Sequence, residues 1–361
     1  MGLIDFFSKT YRGKKVLITG HTGFKGAWLM LLLHKLGAHI KGYALEPDKQ
    51  SLYRNLGGDG LIDSVIDDIR NLRRLKEEIT SFGPDFIFHL AAQPLVLDSY
   101  KNPVYTYETN LIGTMNVLEA LRYLDTPCQT IIVTTDKVYE NKEWVYPYRE
   151  TDRLGGFDPY SSSKACAELA VASMRSSFFP LSDHNKHGKA IAVARAGNVI
   201  GGGDWSTNRI IPDIARALSN NEPIALRNPD AVRPWQHVLE ALSGYLQLGS
   251  RLAAGENLSL WCDAWNFGPL DNASITVEQL VNQAIEQWGR GTYEASSAGD
   301  RLHEANQLRL DCSKAAMQLG WQPRMDSMQS IAITIDWYKA VLEQGHDPLE
   351  LTMQQVEAYF S

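Results

Sequence analysis

The chain is poor in cysteine, in basic excess and in long apolar runs, and each shortage closes a class of function. Four cysteines stand in 361 residues, Cys128, Cys166, Cys262 and Cys312, with no C-x-x-C and no metal-ligand spacing among them. That pattern excludes a disulfide scaffold, predicts no metal site, and fits neutral thiols in a reducing compartment. Lys and Arg number 35 against 42 Asp and Glu, a formal net charge of −7, so no basic face is expected for nucleic acid. A small phosphorylated ligand is not excluded, because a few local Arg, Lys and backbone N–H groups suffice for one. The longest apolar stretch, Ala27–Leu33, is too short to span a bilayer, and no membrane partner is expected. Met1–Lys15 has neither a long apolar core nor a small-residue cleavage site, and Phe6 stands where a myristoylation signal after Gly2 needs Ser or Thr. Asn257-Leu-Ser and Asn272-Ala-Ser then read as chance sequons in a cytoplasmic protein. Internal repeats, low-complexity segments and long linkers are also absent.

What is present is an ordinary globular mix, 44% hydrophobic and 21% charged, arranged in a regular order. Short apolar runs are predicted as strands at Lys15–Thr19, Ala38–Ala44, Ser64–Asp67, Asp85–Leu90, Gln129–Thr134 and Ala190–Ala194. Helical patterns fall between them at Gly26–Leu36, Asn71–Ser81, Asn110–Leu124 and Tyr160–Met174, the first stopped by Gly37. Strands alternating with such helices imply βαβ units and a parallel sheet: an α/β, Rossmann-type doubly wound fold. Beyond residue 200 the alternation breaks up, with a Gly201-Gly-Gly203 loop, helices at Ile210–Ser219, Val277–Trp288 and Ser313–Leu319, and a turn and strand within Gly255–Asn266. We therefore expect a dinucleotide-binding domain over residues 1–195, with part of 230–262 returning to it. A smaller, partly interleaved C-terminal substrate lobe is expected over 196–361.

Gly20-His-Thr-Gly23-Phe-Lys-Gly26 lies directly between a strand and a helix. Glycines there permit a tight turn and close approach of backbone to a pyrophosphate, and the helix N-terminus supplies free N–H groups. Glu46 is the acidic candidate for the adenosine ribose. The lack of an Arg immediately after the second strand favours NAD over NADP. Asp68 and Ile69, after the third strand, either contact the adenine or serve as strand-end and core residues. Asp158-Pro-Tyr160-Ser-Ser-Ser-Lys164 is Y-x-x-x-K at a helix start, with Asp158 as cap and Pro159 in the first turn. Tyr160 and Lys164 share a helical face, and a nearby ammonium would favour the phenolate, lowering Tyr160 below its ordinary value. Such a phenolate is a base for a hydroxyl proton while hydride leaves the same carbon. Asp136-Lys137, after a strand, is either an acid–base pair or a plain strand-end pair.

In this order, Gly20–Gly26, His89-Leu-Ala-Ala-Gln93, Asn110, Thr134-Thr-Asp-Lys-Val-Tyr139, Tyr160/Lys164 and Arg195-Ala-Gly-Asn198 resemble the extended short-chain dehydrogenase/reductases over nearly the whole chain, through Asp311-Cys-Ser-Lys314 to Leu319-Gly-Trp-Gln-Pro323. Within that superfamily the chain resembles the nucleotide-sugar 4,6-dehydratases. The wording of Gly20–Trp28, Thr135-Asp-Lys137 and Gly201-Gly-Gly-Asp-Trp205 is that of the branch acting on CDP-glucose. The resemblance implies C4 oxidation by Tyr160 with hydride passing to NAD and Thr135 bonded to the same oxygen. Loss of water across C5–C6 and return of hydride to C6 follow, with Asp136 as acid towards the C6 hydroxyl. Lys137, where other dehydratases carry Glu, is the C5 base or else stabilises the enolate. His21, Phe24 and Lys25 in the turn, with Leu90, Ala91 and Ala92, are expected at the cofactor; His21 and Lys25 depart from the commoner residues there. Gln93, Asn198, Arg209, Arg233 and Arg301 are expected at the substrate, with Asn198, Arg233 and Arg301 near the diphosphate. Trp235 either packs or stacks on the base, and His237 is read as structural. A homodimer through the helices 110–124 and 160–174 is implied, as is a role in making deoxysugars for lipopolysaccharide O-antigen. The alternatives are a nucleotide-sugar 4-epimerase, which needs no acid–base pair for C5–C6 elimination, and a dinucleotide-sensing binding protein, expected to have lost Tyr160 or Lys164.

Overall fold

The computed structural model describes residues 2–226, 228–269, 275–295 and 308–361. Helix α1 (Leu3–Tyr11) leads into β1 (Lys15–Thr19), whose continuous apolar run is buried from Val16 onwards, as in a strand covered on both faces. Helix α2 (Phe24–Lys35) is buried at every residue from Gly26 to Leu33, the mark of a helix held between layers. Gly37 then takes the left-handed conformation, φ 79°. The chain continues through β2 (His39–Ala44), β3 (Asp63–Ile66), α3 (Leu72–Phe82), β4 (Phe86–His89), α4 (Gly113–Leu121), β5 (Cys128–Thr134), α5 (Pro159–Phe178) and β6 (Lys189–Ala196).

One predicted element differs. The single helix expected over Asn110–Leu124 is entered through a helical segment Pro103–Tyr107 and a π turn at Glu108–Ile112, and its regular part ends at Leu121. A π turn puts an extra residue into the helical circuit and re-aims the side chains on it. Periodicity alone does not register one inserted residue.

Downstream lie α6 (Ile210–Ser219), α7 (Val238–Ala254), β7 (Ala264–Phe267), α8 (Val277–Trp288), α9 (Ser327–Gln344) and α10 (Pro348–Phe360). Seven strands form one sheet in the order β7-β6-β5-β4-β1-β2-β3, every pair parallel. The strand order reverses between β1 and β4, where such sheets open a ligand crevice beyond their C-terminal ends. Alternation along the strands feeds two cores. Val16, Ile18, Phe86 and Phe88 join α2, α7 and the C-terminal helices, while Leu17, Ile87 and Ile132 join α3, α4 and α5. The first core continues without a break into α6, α8 and α9, so the lobe shares its interior with the sheet. Trp235, 3% exposed, belongs to that core, and His237 is buried and caps the N-terminus of α7. Among the described residues no helix is long and apolar enough to cross a membrane.

A buried ion pair ties three of these elements together. Arg195 on β6 donates Nε to both oxygens of Glu168 on α5 at 3.0 Å, and both side chains are 3% exposed. Glu168 Oε1 also accepts from Thr134 Oγ1 at 2.6 Å, and Arg195 Nη1 donates to the Tyr139 hydroxyl at 2.6 Å. Removing one partner leaves the other charge stranded. We expect Glu168→Ala to cost about 3–5 kcal/mol, read as a lowered urea midpoint.

Three buried histidines set an acid limit. Burial pushes His21 down to about 4, and His89 and His237 down to about 3. In the unfolded chain each takes up a proton near the ordinary value of about 6.5. The neutral rings therefore contribute full stability above about pH 6.5, and that contribution is lost as pH falls from there towards 4 and 3. Urea midpoints measured from neutral pH down to about pH 5 should fall steadily, and should change little from pH 7 to 8.

Candidate active site

The turn after β1 closes because two of its residues lack a side chain. Gly20 sits at φ 77°, and a Cβ there would lie 2.7 Å from Ala91 N; a Cβ on Gly26 would lie 2.1 Å from Gly20 O. Only glycine allows strand, helix and the 89–93 loop to approach so closely. Gly23 caps α2 without a side-chain bond, so the first N–H groups of the helix remain available to an anion. Around this turn, at the β1/β4 reversal, lies a cavity of about 300 Å³.

Of the residues predicted for the cofactor, Gly20, Gly23, Phe24, Lys25, Gly26, Asp68, Ile69, Leu90, Ala91, Ala92, Tyr160 and Lys164 line this cavity. His21 does not. Its ring is buried beneath the turn, Nε2 2.8 Å from Ser64 Oγ, edge-on to Tyr53 and against Gly42. Glu46 is two-thirds exposed and paired with Arg54, while Asp67 and Asp68 line the cavity at the end of β3. Thr109 also lines it, and its buried hydroxyl has no hydrogen-bond partner. The glycine cradle, the open helix N-terminus and this orphaned hydroxyl together fit a dinucleotide. Ala44, Leu45 and Asp67 were missed by motif reading; their signal was positional, at the C-terminal ends of β2 and β3. Thr109 carried no signal beyond standing next to Asn110.

Helix α5 presents the chemical pair as its start sequence dictates. Asp158 Oδ1 accepts from Ser161 N at 2.9 Å and Pro159 opens the helix. Lys164 Nζ donates to Val133 O at 3.1 Å, and burial lowers its ammonium to about 8. Tyr160 departs from expectation. Its phenol is held above its ordinary value, because burial outweighs Lys137, Arg209 and a hydrogen bond with Thr135. Lys164 is turned to a carbonyl of β5, so it does not supply the assistance that the sequence argument assumed. Asn110 positions this helix: from the π turn its Nδ2 reaches Ser163 Oγ at 2.9 Å and Gln93 O at 3.1 Å, while Oδ1 accepts from Gln93 N at 2.8 Å.

Beside Tyr160 stands the turn after β5. Asp136, 1% exposed, accepts at Oδ1 from Thr135 Oγ1 at 2.9 Å and from Lys137 Nζ at 3.2 Å, and at Oδ2 from Asn198 Nδ2 at 3.1 Å. Lys25 reaches the same region: burial, then Arg209, Lys164 and Lys137, push its ammonium down to about 7, against the pull of Asp136. Four cationic side chains thus gather around one carboxylate, a local field suited to phosphate groups in an acidic chain.

The residues predicted for the substrate are less concentrated. Arg209 lines the cavity and pairs with Asp204 at 2.8 Å. Gln93 is engaged in its own loop: Nε2 donates to Leu95 O and Thr106 Oγ1, and Oε1 accepts from Leu95 N. Asn198 faces Asp136. Arg233 is buried in a short strand pair with Ile275–Thr276, away from the cavity. Arg301 lies outside the described residues.

Comparison with known proteins agrees with this arrangement. A family model described as GDP-mannose 4,6 dehydratase matches residues 17–334. A CDP-glucose 4,6-dehydratase of Salmonella typhimurium is 45% identical over 97% of either chain. A dTDP-glucose 4,6-dehydratase of Streptomyces antibioticus is 29% identical, covering 90% of this chain and 92% of its own. In fold, the UDP-glucose 4-epimerase of Thermus thermophilus superposes with a TM-score of 0.75 at 21% identity, covering 90% of this chain and 99% of the other. With a family match over most of its length and a relative so similar from end to end, the chain belongs to the nucleotide-sugar 4,6-dehydratases.

Proposed function

We propose that the protein carries out the NAD-dependent 4,6-dehydration of CDP-glucose to CDP-4-keto-6-deoxyglucose. The observation that carries this reading is the Asp136–Lys137 pair, a buried carboxylate and an ammonium 3.2 Å apart next to the Tyr160 phenol. An epimerase needs a base at the C4 oxygen and has no use for a second acid–base pair. The 45% identity to a CDP-glucose 4,6-dehydratase supports the same reaction and the same nucleotide.

Residues 1–195 hold the cofactor in this reading, with the Gly20–Gly26 turn at its pyrophosphate and Asp68 and Ile69 at its adenine end. The lobe built mainly from 196–361 holds the sugar nucleotide, with Arg209, Arg233 and Arg301 serving the diphosphate. When bound, NAD takes the C4 hydride and returns it to C6, and its positive ring favours the Tyr160 phenolate. Tyr160 removes the C4 hydroxyl proton, and Thr135 holds the same oxygen. The new ketone acidifies C5; Lys137, its ammonium poised by the neighbouring cations, removes that proton as neutral amine. Asp136 protonates the C6 hydroxyl, which leaves as water, and Lys137 returns its proton to C5. Over one turnover Tyr160 gains a proton and Asp136 loses one. The Thr135 hydroxyl, donating to Asp136 Oδ1 at 2.9 Å, bridges the two.

Two copies pair, in this proposal, through the helical faces around residues 103–121 and α5, which leave Val104, Ile112 and Leu169 exposed at 70%, 47% and 60%. The four free cysteines suit the cytoplasm.

Incubation with NAD and, separately, CDP-, dTDP-, GDP- and UDP-hexoses should give the alkali-induced absorbance of a 4-keto-6-deoxy sugar with CDP-glucose alone. Signal with another nucleotide overturns the substrate; interconversion of glucose and galactose forms without keto product overturns the dehydratase. Tyr160→Phe should lower kcat about 10²–10⁴-fold. The KM for the nucleotide sugar should stay within about threefold, as for a group acting in the transition state.

A further inference from the structure

The turn leaving β6 is shaped around one carboxylate. A Cβ on Gly197 would lie 2.0 Å from Asp136 Cγ and Oδ2, so the backbone of the turn rests directly on the acid. Asn198 adopts the left-handed conformation, φ 49°, with its Nδ2 3.1 Å from Asp136 Oδ2. A carboxylate oxygen only accepts, so the amide presents its nitrogen. The other oxygen, Oδ1, faces Thr135 and Lys137. The turn is itself clamped from behind. Gln236, 2% exposed, donates Nε2 to the carbonyls of Gly197 at 3.1 Å and Phe267 at 2.8 Å, and its N–H to Asn198 O at 3.2 Å. A chain of contacts thus runs from β7 through Gln236 and the turn to the acid.

Building on the dehydratase reading, we propose that Gly197 and Asn198 are positioning residues of the elimination step, holding Asp136 so that Oδ1 is the oxygen that protonates the leaving C6 hydroxyl. With Oδ2 committed to the amide donor, a proton on this carboxyl sits on Oδ1, on the side of Lys137. As Lys137 takes the C5 proton, the C5–H electron pair becomes the C5–C6 double bond. The C6–O bond breaks with its pair on oxygen, and the Oδ1 proton completes the water. Charge balances between Lys137, which gains a proton, and Asp136, which loses one. Oxidation at C4 draws on Tyr160 and does not need the Asn198 amide. This assigns Asn198 to the acid, in place of the diphosphate to which the resemblance pointed.

The test separates the two half-reactions in the full-length protein loaded with NAD. Asn198→Gly accepts the left-handed backbone without strain and deletes only the amide. Asn198→Asp keeps the size and the tolerance for that conformation but removes the donor. Each variant is mixed rapidly with CDP-glucose, and the rise and decay of reduced-nicotinamide absorbance are followed beside the KM and the keto product. We expect the rise and the KM to stay within about threefold, while decay and product formation slow on the order of 10²-fold, the cost of a misplaced catalytic group. Reduced nicotinamide then accumulates in the variants. A rise that slows together with the decay, with a raised KM, would return Asn198 to the diphosphate and overturn the proposal; unchanged decay in both variants would overturn it too. The unsubstituted protein in the same series tests the dehydratase reading by itself, so the two failures are told apart.

Discussion

Arg195 and Glu168 face each other where β6, β5 and α5 meet, each only 3% exposed, and the working parts of the cavity hang from that contact. Glu168 lies one helical turn beyond Lys164 on α5. It also holds Thr134, the residue before Thr135, by a 2.6 Å bond. Arg195 stands two residues before Gly197, whose turn rests on Asp136, and it fixes Tyr139 at 2.6 Å at the far end of the 135–139 segment. Tyr139 in turn donates to Asn266 on β7 at 2.7 Å. Two charges withdrawn from water are costly unless both are fully bonded. The geometry that satisfies them therefore also sets the mutual placement of base, acid and helper.

The second constraint is electrostatic. A chain with net charge −7 nevertheless brings Lys25, Lys137, Lys164 and Arg209 around the single buried carboxylate of Asp136. The mutual repulsion shows in Lys25, held near 7. It shows in Lys164 as desolvation, held near 8 by burial and turned to a carbonyl. Anionic ligands relieve this crowding, so binding and the tuning of the proton-transfer groups draw on one feature. The phenol of Tyr160 remains above its ordinary value in the protein alone. A base of that kind works only once its ligands have added positive charge beside it.

Much of this was legible in the chain itself. The strands and helices of the first half lie where apolar runs and stop signals put them, because burial on both faces of a parallel sheet demands continuous apolar segments. The glycine turn, the Asp158 cap and the Tyr160/Lys164 spacing are local, and local geometry follows from local sequence. The π turn at Glu108–Ile112 was not legible. It exists because Asn110 satisfies Gln93 and Ser163 across the interior, and neither partner is a neighbour in sequence. Gln93 looked like a ligand-binding amide and proved to be fully engaged in its own loop.

The sequence by itself determined the fold class, the dinucleotide turn and the identities of the acid, the base and their helpers, since each is written in short-range spacing and in side-chain chemistry. Tertiary structure alone decided which way those side chains face: His21 under the turn towards Ser64, Lys164 towards Val133, Lys25 among the other cations, and Asn198 onto Asp136. Orientation and pKa depend on burial and on partners brought from distant segments, and spacing along a chain carries neither.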